Sequence, residues 1–140
     1  MSRTIFVTGT DTGVGKTLLT ASLLFHLRQS GMKALAMKPF CSGGAADVDL
    51  IQAIQGNNPA RDEVNPFYFP EPLGPLVAAR KARRRIRLPK VLRAIGRVEK
   101  RCERLIVEGS GGLLVPLGEG FTVADVIANL GCDVVVVGKN

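Results

Sequence analysis

The sequence predicts an α/β fold: a parallel sheet with helices on both faces, forming one domain over residues 1–140. Three observations carry this expectation. Four short, almost wholly apolar runs are spread along the chain, and each closes on a glycine or proline, as strands buried on both faces do. Segments with apolar residues at helical spacing fall between these runs, and such alternation is the signature of a parallel sheet. The length suits one core rather than two.

The elements follow in order. Ile5, Phe6 and Val7 form the first strand, ending in Gly9. From Lys16 to Gln29, Leu19, Leu23, Leu24 and Leu27 recur on one helical face, and Gly31 is a natural stop. "KALAMKP" reads as a second strand closed by Pro39, "FCSGGAAD" as a loop, and "DVDLIQAIQG" as a short helix ended by Gly56. Pro59, Pro66, Pro70, Pro72 and Pro75 make the next stretch mostly irregular, with one short helix after Pro75. A basic helix from about Pro89 to Cys102 leads into the third strand, "RLIVEG". A glycine loop, a helix near Thr122 to Leu130 and a fourth strand, "DVVVVG", complete the series. That last strand is apolar enough to call for burial on both faces. The sequence stops just after it, so the chain is expected to be cut short, an amino-terminal part of something longer.

An apolar fraction of 46% with 22% charged residues is ordinary for a soluble globular protein, and no apolar run approaches a membrane span. Cys41, Cys102 and Cys132 lack C-x-x-C spacing, so neither a disulfide framework nor a zinc site is indicated, and a reduced, cytoplasmic protein is expected. The net charge of +7 is local: residues 80–104 hold twelve of the nineteen lysines and arginines against two acids, Glu99 and Glu103. A solvated helix face accounts for this simply, and a patch for an anionic partner is the other reading. No Phe, Tyr or Trp lies within that segment, so base stacking is unsupported and a nucleic-acid partner is not expected.

The chemistry concentrates in "VTGTDTGVGKT", Val7 to Thr17. Gly-Lys-Thr between a strand and a helix is the end of a phosphate loop. There, successive backbone N–H groups and a helix N-terminus meet an anion, the lysine reaches the β- and γ-phosphates, and the hydroxyl serves Mg²⁺. The usual spacing wants glycine at position 10, but Thr10 stands there and Gly9 comes one residue early, which makes the loop longer by one. Further candidates sit at predicted strand ends, where parallel α/β sheets bind ligands. Lys38 closes the second strand, Ser42 follows it, and Glu108 closes the third inside "VEGSGG". Glu108 and Asp49 are the candidate Mg²⁺ carboxylates, with Asp47 competing as the cap of the same helix.

Together, "FVTGTDTGVGKT", "KPFCSGG" with Asp49 downstream, "VNPFYFPEPLGP", "LIVEGSGGLLVPL" and "DVVVVG" resemble the dethiobiotin synthetase family of the P-loop NTPase superfamily. The pieces run in that order along nearly the whole chain, and the longer loop is that family's own variant. The resemblance implies an ATP- and Mg²⁺-dependent ring closure of 7,8-diaminononanoate with CO₂. It implies that Gly13, Val14, Gly15, Lys16 and Thr17 hold ATP, that Thr17, Asp49 and Glu108 hold Mg²⁺, and that Thr12, Lys38 and Ser42 face the diamine. Lys38 would stabilise the carbamate and the phosphoryl group it accepts. A homodimer is implied for the complete protein. The chain departs from the family in Gly13 where some relatives carry an acid, Ser110 in place of alanine, and Gly74 in place of serine, which would loosen its loop. The largest departure is length, since the family's later part, with adenine recognition, further sheet and a substrate-carboxylate loop, is absent here. The arginine-rich stretch near Arg83 matches no motif of the family. A regulatory or assembly ATPase of the same superfamily, or an inactive fragment of the synthetase, is the alternative reading.

Overall fold

A computed structural model describes residues 2–140. Its elements are β1 (Thr4–Gly9), α1 (Lys16–Gln29), β2 (Ala34–Met37), β3 (Phe40–Ser42), α2 (Ala46–Gln55), α3 (Arg61–Val64), β4 (Phe67–Phe69), α4 (Pro75–Lys81), α5 (Leu88–Glu99), β5 (Arg104–Gly112), β6 (Pro116–Gly118), β7 (Phe121–Thr122), α6 (Val123–Leu130) and β8 (Asp133–Val137). Four strands make the central parallel sheet in the order β2-β5-β1-β8.

That order fixes where the helices lie. The crossover from β1 through α1 runs one way across the sheet to β2, while those through α5 to β5 and through α6 to β8 run the other way. Right-handed crossovers in opposite directions put their helices on opposite faces. Accordingly α1 packs on α2, and α5 packs on α6. Phe6, Val7, Leu35, Met37, Leu105, Ile106 and Val107 are all buried between the two layers, which is why these strands read as unbroken apolar runs. In α5, Val91, Ile95 and Val98 face the core while Arg93, Arg97 and Lys100 stay in solvent, so much of the basic stretch is a solvated helix face.

Several expectations need correction. "FCSGGAAD" does not begin as a loop: Phe40–Ser42 pairs in parallel with Phe67–Phe69, and the Phe40 and Phe67 rings stack at 4.8 Å. The proline-rich stretch holds α3 and β4 besides the expected α4. An antiparallel pair, β6 with β7, occupies the glycine loop before α6. The fourth strand, whose apolar run calls for burial, is uncovered as the sequence led one to expect: β8 pairs with β1 at one edge of the sheet, and Val134, Val135 and Val136 are exposed.

Candidate functional site

Register brings the strand-end residues together. Val7 pairs with Glu108 and Met37 with Val107, so β1, β2 and β5 finish side by side and Lys38 emerges next to Glu108. Beyond Val7 the β1–β5 register shifts, and Gly9 faces Gly112. Gly9 has a steric reason to be glycine: a Cβ there would lie 2.7 Å from Val14 Cγ2 and 3.1 Å from the Val137 carbonyl. The loop turns through left-handed Gly13 and Gly15 into α1. The amides of Gly13, Val14 and Gly15 donate to no acceptor among the described residues, which leaves three N–H groups at a helix N-terminus.

Around that loop lies a cluster of five charged or hydroxyl side chains. The Lys16 ammonium donates to the Asp11 carbonyl at 2.8 Å, folded back on its own loop. Thr17 Oγ1 donates to Glu108 Oε1 at 2.6 Å. Lys38 Nζ donates to Asp47 Oδ2 at 2.6 Å and stands 3.6 Å from Glu108 Oε2. Glu108 is fully enclosed, and its Oε2 accepts no hydrogen bond. The consequences differ by group. Burial pushes the Glu108 carboxyl up, and Lys38 and the Thr17 hydroxyl only partly offset it. For Lys38, burial works against the charge but Glu108 and then Asp47 outweigh it, so its pKa is raised. Asp47 is held low: burial opposes the charge, and the hydrogen bond and charge of Lys38 overcome that. Lys16 is pushed down, chiefly by burial.

Asp49 is not brought to this cluster. It pairs with Arg61 at 2.6 Å on the open surface. Residues two apart on a helix point about 200° from each other, so α2 can aim only one of its two acids at Lys38, and it aims Asp47. Thr12 and Ser42 line, with Lys38 and Asp47, a cavity of about 420 Å³ whose other walls include Pro72, Leu73 and Val115.

Two residues outside the expected set shape the site. Asn65 Nδ2 donates to the Lys38 carbonyl at 2.9 Å and to that of Pro39, while the Lys38 amide donates to the Val64 carbonyl. These bonds lock the backbone from which the Lys38 side chain projects. The Ser110 hydroxyl donates to the Phe40 carbonyl at 2.7 Å and ties the end of β5 to β3. Both lie in segments whose resemblance was visible, but nothing in the sequence marks a side chain that bonds to a distant carbonyl.

The donor set suits Mg²⁺. Thr17, Asp47 and Glu108 offer a hydroxyl and two carboxylates, all hard oxygen ligands, and the unpartnered Glu108 Oε2 is the sort of buried oxygen a cation would satisfy. Among the described residues no three His, Cys, Asp or Glu side chains converge. Mg²⁺ is typically held by one or two carboxylates together with substrate phosphates.

A parallel sheet whose first strand opens through a glycine loop onto a Lys-Thr helix start, with a carboxylate on the neighbouring strand, defines a P-loop α/β protein. The family described as AAA domain matches residues 3–140, and the chain belongs to it. It is similar to proteins named ATP-dependent dethiobiotin synthetase BioD. It is 40% identical to that of Anaeromyxobacter sp. (strain Fw109-5), over 98% of this chain and 63% of the relative. For that of Methanococcus vannielii the identity is 38%, over 96% of this chain and 64% of the relative. For that of Bacillus licheniformis it is 39%, over 96% and 59%. The chain thus spans about three fifths of the length of these curated relatives. Among solved structures, the signal recognition particle receptor FtsY from Elizabethkingia anophelis shares the fold, with a TM-score of 0.52 at 16% identity, covering 98% of this chain and 41% of the receptor. No helix among the described residues is long and apolar enough to cross a membrane.

Proposed function

We propose that this chain acts as one domain carrying the phosphate-handling and diamine-facing part of a dethiobiotin synthetase site. The observation that supports it best is the meeting of Lys38, Asp47, Glu108 and Thr17 beside the phosphate loop, in a chain whose relatives bear that name.

In this reading the loop amides of Gly13, Val14 and Gly15 receive the ATP phosphates, and Lys16 leaves the Asp11 carbonyl to reach the β- and γ-phosphates. Thr17, Asp47 and Glu108 would hold Mg²⁺, which when bound neutralises phosphate charge and fixes the γ-phosphoryl orientation. Asp47 would take the role expected of Asp49. Thr12 and Ser42 face a diaminononanoate in the cavity. One amine of the substrate and CO₂ form a carbamate, losing a proton. A carbamate oxygen attacks the γ-phosphorus and ADP leaves, giving a carbamic–phosphoric anhydride. The second amine attacks the carbonyl carbon, phosphate leaves with the bonding pair, and a proton is lost as the cyclic urea closes. Lys38 works by charge. With its pKa raised it stays an ammonium at neutral pH, so it neutralises the carbamate and the passing phosphoryl group and does not act as a base. No side-chain nucleophile is required.

The test separates the two lysines. Lys16→Ala should lower MgATP affinity about tenfold or more by calorimetry. Lys38→Ala should leave that affinity within a few-fold while cutting diamine- and bicarbonate-dependent phosphate release by about a hundredfold. Matching losses of nucleotide affinity would place Lys38 on the nucleotide. Phosphate release or nucleotide-dependent association indifferent to the diamine would favour a regulatory ATPase instead.

A further inference from the structure

The arginine-rich stretch is not all solvated helix face. Between α4 and α5 the chain makes a tight reversal in which the Arg84 amide donates to the Ala79 carbonyl and the Arg83 amide to that of Arg80. Arg83 sits there at φ 54, the one non-glycine in the left-handed region among the described residues, at a helix end where glycine would be relaxed. Beside this turn lies a cavity of about 330 Å³ walled by Arg80, Arg83, Arg84 and Arg85, with Ile86 and Glu119 contributing.

The four guanidinium groups fall into two kinds. Arg80 is held by a two-pronged pair with Glu119, at 2.8 and 3.0 Å. Arg84 lies 4.9 Å over the Phe69 ring and donates to the Tyr68 carbonyl, so it is fixed in place but paired with no carboxylate. Arg83 and Arg85 have neither a hydrogen-bond acceptor nor an ion-pair partner for their side chains among the described residues. Glu119, the acid lining the cavity, is paired with Arg80 and also feels the charge of Arg85. Three arginines without a carboxylate hydrogen-bond partner therefore line one small concavity, with only the distant charge of Glu119 acting on Arg85, and a backbone unsuited to arginine helps to hold Arg83 there. All three are exposed, so solvent screens their mutual repulsion, and an anion seated between them would gain from each at once. The exposed cations along α5 are different: Arg93, Arg97 and Lys100, at its C-cap, are strung along one helix face.

We propose that this cavity binds a compact multivalent oxyanion, about the size of a tripolyphosphate or a tricarboxylate, at a site separate from the phosphate loop. Guanidinium forks suit phosphoryl and carboxylate oxygens alike, as the Arg80–Glu119 pair illustrates.

The experiment uses the full chain carrying Lys16→Ala, so that the phosphate loop is weakened as a competitor, titrated calorimetrically with inorganic tripolyphosphate and separately with citrate. At least one should bind at a single site per chain, and which of them binds identifies the phosphoryl or carboxylate source. Adding Arg85→Gln should weaken binding about tenfold. Arg83→Gly should weaken it similarly with an unchanged or higher Tm, because glycine relaxes the turn, so lost binding cannot be blamed on lost folding. Arg93→Gln should change little. Absence of saturable binding by both anions would overturn the proposal, as would equal weakening by Arg93→Gln and Arg85→Gln. So would tighter binding of a short single-stranded oligonucleotide, which would mark a diffuse nucleic-acid surface.

Discussion

Glu108 carries a buried charge whose second oxygen has no hydrogen bond and whose nearest cation, Lys38, is 3.6 Å away. Such a group works against the fold that contains it. Its carboxyl pKa is raised on folding, so the folded chain binds the proton more readily than the unfolded one. The ionised group therefore opposes folding above the unfolded pKa, and stability recovers as pH falls through the raised folded value. Glu108→Gln keeps the shape and removes the charge. In the absence of metal and nucleotide it should raise stability at neutral pH by about 1 kcal/mol, roughly 4 °C in Tm, and abolish that pH dependence. A lower Tm in thermal denaturation would mean that the pairing with Lys38 already compensates the burial. The same variant should need more Mg²⁺ for nucleotide binding. Asp47→Asn should do likewise, whereas Asp49→Asn should leave the Mg²⁺ requirement unchanged, since its carboxylate is engaged by Arg61. Lys16, Thr17, Lys38 and Glu108 were legible in the sequence because strand ends and a Gly-Lys-Thr announce themselves. The choice between Asp47 and Asp49 was not, because it depends on the rotational setting of α2 against β2, which only packing decides.

At the scale of elements, β2 is an edge strand, paired with β5 alone. Its outer edge is closed by a side chain: Gln55 Oε1 accepts from the Ala36 amide at 2.8 Å and Gln55 Nε2 donates to the Ala36 carbonyl at 2.9 Å, both buried. The amide thus imitates one residue of a neighbouring strand, and α2 is pinned to the sheet by it. Gln55→Ala should cost about 2 kcal/mol in denaturant unfolding, since it strands a buried donor and acceptor together. Exchange of the Ala36 amide should accelerate more than that of Leu105 in the middle of the sheet. Equal protection at both sites would return Gln55 to an ordinary packing role. The four sheet strands and the long helices could be read from the sequence because burial on two faces and on one face leave different periodicities. The β3–β4 pair could not: three residues per strand, flanked by prolines, carry no period, and each exists only because the other is beside it. The β6–β7 pair is similar, and depends on Gly118, where a Cβ would lie 2.5 Å from the Ile86 carbonyl.

Across the whole molecule the sheet is unevenly covered. At the β2 edge the strands are enclosed, while at the other edge Val134, Val135 and Val136 are exposed at 41, 37 and 63% and the outer backbone groups of β8 have no strand partner among the described residues. Three adjacent apolar side chains on an open strand form a template for pairing with another chain, and β8 has no proline and only one charge, Asp133 at its start, to blunt that edge. The 140-residue chain should therefore associate as its concentration rises. Val136→Lys places a charge on the most exposed of the three and should reduce association in sedimentation velocity without loss of thermal stability. A parent chain that stays monomeric throughout would show that the β8 edge is harmless. The phosphate loop gives a second readout, because the Thr10 amide donates to the Val137 carbonyl at 3.0 Å and anchors the loop to the end of the same strand. If association bends β8 away from β1, that anchor is strained and phosphate affinity should fall with protein concentration in the parent but not in Val136→Lys. If affinity is constant in both, the edge and the loop act independently even though one hydrogen bond joins them.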